Sequence, residues 1–171
     1  MIIRLAGDGD VDAIAALHAD SWRRHYRGAY ADAYLDGDLE QDRRTVWKAR
    51  FAERAATATI VAEDGGAVVG FVHVVLDDDE RWGSLVDNLH VTSGRRHAGI
   101  GTALHAAAVD AVVERARDQR LYLWVLEQNA AAQRFYRSRG GVYVETVRVG
   151  GDPARLAGAP NKWRMVWERL R

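Results

Sequence analysis

The sequence predicts an α/β domain in which a mixed, mostly antiparallel sheet of about seven strands is covered by helices. Three observations carry this. Gly65-Gly66 separates two β-rich runs, "TATIVAED" and "AVVGFVHVVL", and a glycine pair tolerates the positive φ of a tight hairpin turn. From Gly99 the pattern changes to alternation: Gly99 to Asp118 reads as a helix, Arg120 to Glu127 as a strand and Asn129 to Arg139 as a second helix. The strand between those helices is apolar on both faces, with Leu121, Leu123 and Val125 on one and Tyr122, Trp124 and Leu126 on the other, which places it inside the sheet.

The remaining elements follow in order. "IIRLA" (Ile2 to Ala6) reads as a short strand, and Asp8 or Asp10 as the N-cap of a helix whose core side holds Ile14, Leu17 and Trp22. "HYRGAYADAYLDGD" is aromatic, acidic and irregular. Leu39 to Arg54 is a second amphipathic helix, with Val46, Trp47 and Phe51 on a shared face. Asp77 to Glu80 reads as a solvated turn before a strand from Trp82 to Val91. Gly140-Gly141 ends the last helix, "VYVETVRV" is a strand, and the loop "GGDPARLAGAPN" precedes a final strand, "KWRMVWERL".

Composition narrows the function classes. A chain of 171 residues that is 48% hydrophobic buries a proper core and reads as one domain. Lys plus Arg and Asp plus Glu are 24 each, so no net field gathers polyanions, and nucleic acid is not an expected partner. The chain has no cysteine, which excludes disulfides, thiolate zinc sites and a cysteine nucleophile. The six histidines form no His-x-x-x-His pair, so no metal is expected. With no leader-like N-terminus and no membrane-length apolar run, a cytoplasmic protein without a membrane partner is the expectation.

The stretch "GRRHAGIGTALH" (Gly94 to His105) places two arginines before two glycines that open a helix after a strand. Free N–H groups and the helix dipole attract anions there, the missing side chains let a phosphate approach, and Arg95 and Arg96 can supply charge-assisted contacts. On spacing alone a plain turn with two surface arginines is about as well supported.

Arg96-His97-Ala98-Gly99-Ile100-Gly101 resembles the acyl-CoA pyrophosphate signature, Gln/Arg-x-x-Gly-x-Gly/Ala, of the GNAT superfamily of N-acyltransferases. "NAAAQRFYRSRGG" (Asn129 to Gly141) resembles that family's second block, in which Asn opens a helix and an aromatic-Tyr pair precedes a closing Gly. The N-terminal region is similar more loosely. The resemblance implies a single GNAT-like domain over residues 1–171, with splayed central parallel strands and helices on both faces, and it implies an N-acetyltransferase that uses acetyl-CoA as co-substrate. Two departures stand out: Gly141 replaces the aromatic that usually follows Gly140, and Leu85 occupies the position of a glutamate that is the general base in some members.

In such enzymes an amine attacks the thioester directly, so three tasks arise: hold the cofactor, deprotonate the ammonium and protonate the thiolate. The resemblance implies that Arg95, Arg96, His97, Ala98, Gly99, Ile100, Gly101 and Thr102 hold the pyrophosphate. It further implies that the strand around Leu89, His90 and Val91 pairs with pantetheine amides and that Asn129, Ala132 and Tyr136 line the cleft. Asn129 can equally serve as a helix N-cap. Tyr136 is the candidate acid, although Ala132, Phe135, Tyr136 and Arg139 also have the spacing of a core stripe. Asp87, Glu127, His73 and His90 are candidate bases, with Asp87 and Glu127 ranked first; alternation puts Asp87 on the face of Leu89 and Val91, with His90 opposite.

For the acceptor, the resemblance points to Trp22, Tyr26, Tyr30, Tyr34, Trp163 and Trp167. Beside Asp32, Asp36 and Asp38 these aromatics could hold a cationic amine, or they could be core. A small molecule, an amino acid, an antibiotic and a peptide α-amine remain open as acceptors. The rival reading is a non-catalytic acyl-CoA-binding module of the same fold. A dinucleotide site is disfavoured because no Gly-x-Gly-x-x-Gly is present. A homodimer is compatible with the sequence, through exchange of an edge strand.

Overall fold

The computed structural model describes residues 1–95 and 99–170. Seven strands form one sheet: β1 (Ile2–Leu5), β2 (Thr57–Asp64), β3 (Ala67–Asp79), β4 (Gly83–Val91), β5 (Leu121–Leu126), β6 (Val142–Arg148) and β7 (Asn161–Trp167). Five helices accompany them: α1 (Val11–His25), α2 (Asp32–Leu35), α3 (Leu39–Ala52), α4 (Ile100–Arg115) and α5 (Ala130–Ser138). The strand order is β1-β2-β3-β4-β5-β7-β6, and every pairing is antiparallel except β4 with β5. The mixed, mostly antiparallel sheet expected from the sequence is therefore present, with β5 in its interior.

The two faces are covered by different helices. On one, Val11, Ile14 and Ala15 of α1 and Trp47 and Phe51 of α3 pack on Val61 and Phe71. On the other, Leu104, Ala108 and Val112 of α4 and Tyr136 of α5 pack on Val72, Val74, Leu121, Leu123 and Met165. Each fully buried aliphatic or phenylalanine side chain in these layers stabilises the fold by about 1.5–3 kcal/mol. The second face is closely spaced because Gly70 has no side chain: a Cβ there would lie 3.0 Å from Leu104 and 3.1 Å from Ile100. At the β2–β3 hairpin Gly65 and Gly66 both have positive φ, 61° and 80°, as the tight turn requires.

Three sequence expectations change. Asp10 does occupy the N-cap of α1, but its carboxylate makes no bond to the first turn; it accepts from the Gly7 N–H at 2.8 Å and from Arg4 at 2.7 and 2.9 Å. The irregular aromatic segment contains the short helix α2. The acidic run from Asp77 to Glu80 is not a free solvated turn, since β3 continues to Asp79 and most of its carboxylates are engaged. Asp77 accepts from the Arg117 N–H, Asp78 from the Tyr122 hydroxyl, and Asp79 from the Arg81 and Trp82 N–H groups.

Candidate active site

The parallel pairing of β4 and β5 covers only Ser84–Val86 against Leu121–Leu123. Beyond Val86 the two strands part, and a cleft of about 240 Å³ opens between them. It is lined by Leu89, His90 and Val91 of β4, Trp124 and Val125 of β5, Ser21 and His25 of α1 with Tyr26 just after it, and Asn129, Ala132, Phe135 and Tyr136 at α5. Because α1 and α5 lie on opposite faces of the sheet, the cleft reaches from one face to the other. The β4 edge turned towards it has no ladder partner among the described residues, so its backbone groups can pair with an inserted chain.

A bulge shapes β4 at this point. His73 pairs with Asn88 and Val74 with Val86, which leaves Asp87 as an extra residue. The register flips there, so Leu89 and Val91 pack towards the α4 core while Asp87 and Asn88 face α3. Simple alternation, which grouped Asp87 with Leu89 and Val91, is corrected by this extra residue. Arg50 holds both turned side chains, donating to Asn88 Oδ1 at 2.7 Å and to Asp87 Oδ2 at 2.6 Å, with its guanidinium 4.8 Å from the Trp47 ring. Asp87 borders both the cleft and the neighbouring groove that contains Leu85.

The helix entrance adjoins the cleft. Gly99 takes the left-handed conformation, φ 77°, at the N-cap of α4, which L side chains adopt at a cost. A Cβ on Gly101 would stand 3.6 Å from the Phe135 ring and 3.9 Å from Val91, both cleft residues. Ile100 has a buried side chain, so only its backbone can serve an anion; Thr102 is half-buried in the first turn. Arg95 is bonded to Asp64 and remains half-exposed. Arg96, His97 and Ala98 lie outside the described residues.

Tyr136 is 8% exposed and borders the cleft, and its hydroxyl makes no hydrogen bond among the described residues. Burial pushes its phenol well above the ordinary value, so it carries its proton at neutral pH. Behind it, Trp167 packs edge-on at a ring distance of 6.2 Å and donates to Arg139 O at 2.8 Å. A Cβ on Gly141 would lie 2.7 Å from that indole, so Trp167 fills the room left by the missing aromatic. Asn129 does cap α5, accepting from the Ala132 N–H at 3.1 Å, while also bordering the cleft.

Of the other candidate bases, Glu127 and His73 lie outside the cleft lining and His90 within it. Glu127 is exposed, accepts from Asn161 Nδ2 at 3.1 Å and is not part of the cleft lining. His73 is bonded to Thr59 at 2.8 Å on the α3 side, and burial lowers its pKa to about 4. His90 borders the cleft with Nδ1 2.7 Å from Ser21 Oγ and its ring stacked 5.0 Å from His18; burial lowers it to about 4 as well.

The aromatic cluster does not form an open cation site. Trp22, Tyr26, Tyr30 and Tyr34 stack on one another against Ala19, Leu35 and Leu39, and Arg43 already lies 4.5 Å over Trp22. Of this cluster only Tyr26 borders the cleft. Asp32 and Asp36 are occupied by Arg27, and Asp38 sits at the α3 N-cap. Trp167 is core, and Trp163 packs on the main cluster and on Tyr143 at 4.9 Å. Sequence reasoning missed Asn88, Trp124 and the pairing role of Arg50; no local pattern links Arg50 to residues so distant in the chain.

A family model described as Acetyltransferase (GNAT) family matches residues 14–140. The uncharacterized N-acetyltransferase YuaI of Bacillus subtilis (strain 168) is 27% identical over 159 residues, covering 91% of this chain and 86% of that protein. Among solved structures, the ribosomal-protein-alanine N-acetyltransferase from Brucella melitensis matches with a TM-score of 0.74 at 25% identity, covering 98% of this chain and 99% of that one. Two others share the fold. A PaiA N-acetyltransferase from Thermoplasma acidophilum in complex with coenzyme A has TM-score 0.72 and 17% identity, with 95% and 96% coverage. YncA from Salmonella typhimurium with acetyl-CoA has TM-score 0.70 and 22% identity, with 100% and 94% coverage.

Proposed function

Given that the chain belongs to the GNAT acetyltransferase family, we propose that it moves an acetyl group from acetyl-CoA to a primary amine by direct attack in a ternary complex, with Tyr136 protonating the departing thiolate. The observation that carries this reading is the cleft between the parted ends of β4 and β5, which has Tyr136 in its wall and the α4 N-terminus beside it.

The fit to acetyl-CoA rests on three features of the chain. The first N–H groups of α4, after Gly99, face outwards without intrahelical partners and suit a pyrophosphate. The free β4 edge suits the amides of the pantetheine arm. The apolar lining from Leu89, Val91, Val125 and Phe135 excludes water around a thioester. When bound, the cofactor supplies the activated acetyl group. The amine nitrogen attacks the carbonyl carbon, the C–S bond breaks, and the sulfur takes its proton from the Tyr136 hydroxyl.

Asp87 is the base best supported, because it borders the cleft and lies on the same side of β4 as Leu85, the position that aligns with a glutamate base in some members of the family. Glu127 ranks behind it, since it lies outside the cleft lining that includes Asp87. Titration calorimetry with acetyl-CoA, beside NAD and ATP at equal concentrations, tests the reading. Selective acetyl-CoA binding that is lost when Gly99 and Gly101 are replaced by valine is the expected result. Absent or indiscriminate binding overturns it.

A further inference from the structure

Lys162 is the second residue of β7 and lies opposite Leu126 of β5, at the end of the strand that borders the cleft. Its ammonium sits 4.3 Å over the ring of Trp124, which is itself part of the cleft wall. Arg164, two residues along on the same face, stacks 4.1 Å from the same ring. Their charges are treated differently. Arg164 donates to Glu145 at 2.7 Å and is neutralised, whereas the Lys162 ammonium has no ion pair or hydrogen bond among the described residues.

A half-buried ammonium without a counter-ion is costly, and a second cation beside it adds to the cost. Burial and Arg164 lower the lysine's pKa, while Asp87 is close enough to favour its charged form. That carboxylate is already engaged by Arg50, so it does not neutralise the lysine. The carboxylates that could have attracted a purely cationic acceptor, Asp32 and Asp36, are likewise occupied by Arg27. Lys162, which stacks on a ring of the cleft wall without itself being among the lining residues, is thus a cation at the cleft edge with no counter-ion among the described residues.

We propose that Lys162, stacked on Trp124 at the cleft edge, is the carboxylate anchor of the acceptor site, and that the acceptor is a small amino acid-type amine with a carboxylate close to its primary amine. This rests on acetyl transfer at the β4–β5 cleft. The carboxylate pairs with the ammonium over the indole, and the amine projects towards Asp87 and the thioester. An amino acid satisfies both ends, which a simple alkylamine cannot.

The test compares neutral L-amino acids with their α-carboxamides, following thiol release from acetyl-CoA. The carboxamides have the less basic amine and the larger nucleophilic fraction, which biases the comparison against the proposal. The expected result is a kcat/KM about tenfold or more higher for the acids, as for a charge-assisted contact. Lys162→Met keeps the stack but removes the charge, and should abolish that preference through the acid's KM, leaving the KM for acetyl-CoA unchanged. Lys162→Arg should restore it. Equal or faster turnover of carboxamides overturns the proposal, as does a preference that survives Lys162→Met. Acetyl-CoA binding with neither set acetylated also overturns it and leaves the cofactor site standing. Failure to bind acetyl-CoA at all sinks the transferase reading itself.

Discussion

Replacing Tyr136 with phenylalanine separates chemistry from folding, because the structure gives the hydroxyl no structural task. The ring is 8% exposed and keeps its contacts with Phe135 and Trp167, at ring distances of 5.2 and 6.2 Å, in the variant. The hydroxyl has no hydrogen-bond partner among the described residues, so its loss should change stability by less than about 1 kcal/mol. A general acid, by contrast, is worth about 10²–10⁴-fold in rate, or roughly 2.7–5.5 kcal/mol of barrier. The assay is CoA release at saturating acetyl-CoA and amine, beside urea unfolding of both proteins. The penalty should shrink with a thioester whose thiolate is a weak base, since that leaving group needs no proton. An unchanged kcat in a folded variant would refute the assignment, and so would an equal penalty for both leaving groups.

Asp87→Asn should lower kcat/KM for the amine by about 10²-fold or more while acetyl-CoA binding persists, and Glu127→Gln should leave both near wild type; steady-state kinetics with paired calorimetry checks this. Gly99→Val forces a β-branched residue to φ 77° at the α4 entrance, at about 1–2 kcal/mol of strain, and isothermal titration should show a matching loss of acetyl-CoA affinity. Gly141→Ala puts a Cβ 2.7 Å from the pinned Trp167 indole and 3.0 Å from Tyr136 O, so urea unfolding should show a loss of about 1–3 kcal/mol. Acid stability follows the buried histidines: His73, His90 and His105 are lowered to about 4 and His18 is lowered too, all chiefly by burial. The unfolded chain takes up protons the native state refuses. Stability should therefore be full above pH 6.5 and fall as pH drops towards 4, read as a declining urea midpoint.

What could be read from the sequence was whatever depends on local spacing. Gly65-Gly66, the doubly apolar β5 and the alternation after Gly99 each report a backbone requirement to their own neighbours, and the sheet follows from them. Asn129 and Tyr136 were legible because one short helix positions both. Long-range pairing was not legible. Nothing near Asp77 announces the Arg117 N–H forty residues away, and nothing near Asp87 or Asn88 shows that Arg50, 37 and 38 residues earlier, will hold them both. Aromatic residues at 22, 26, 30 and 34 have a helical spacing that fits a cage or a core equally well. Arg43 settles the matter by covering Trp22 from another helix.

The least legible feature is also the one that ties fold to chemistry. One extra residue in β4, Asp87, turns two consecutive polar side chains to the α3 side, where a single guanidinium, Arg50, meets both. The same insertion resets the alternation, so Leu89 and Val91 go to the α4 side and line the cleft from there. It falls where pairing with β5 ends, since Val86 is the last β4 residue in the parallel ladder. Bulges bend a strand and increase its local twist. A bend at Asp87 therefore accounts both for the parting of β4 from β5 and for an acid at the point where they part. Without the extra residue, Val86, Asn88 and Leu89 would alternate regularly on a straight strand, with Asn88 still on the α3 side, and Arg50 would have one partner instead of two. Deleting Asp87 should accordingly remove acetyl-CoA binding along with turnover, whereas Asp87→Asn removes turnover alone; calorimetry on the two variants distinguishes a strand that shapes the cleft from a side chain that works in it.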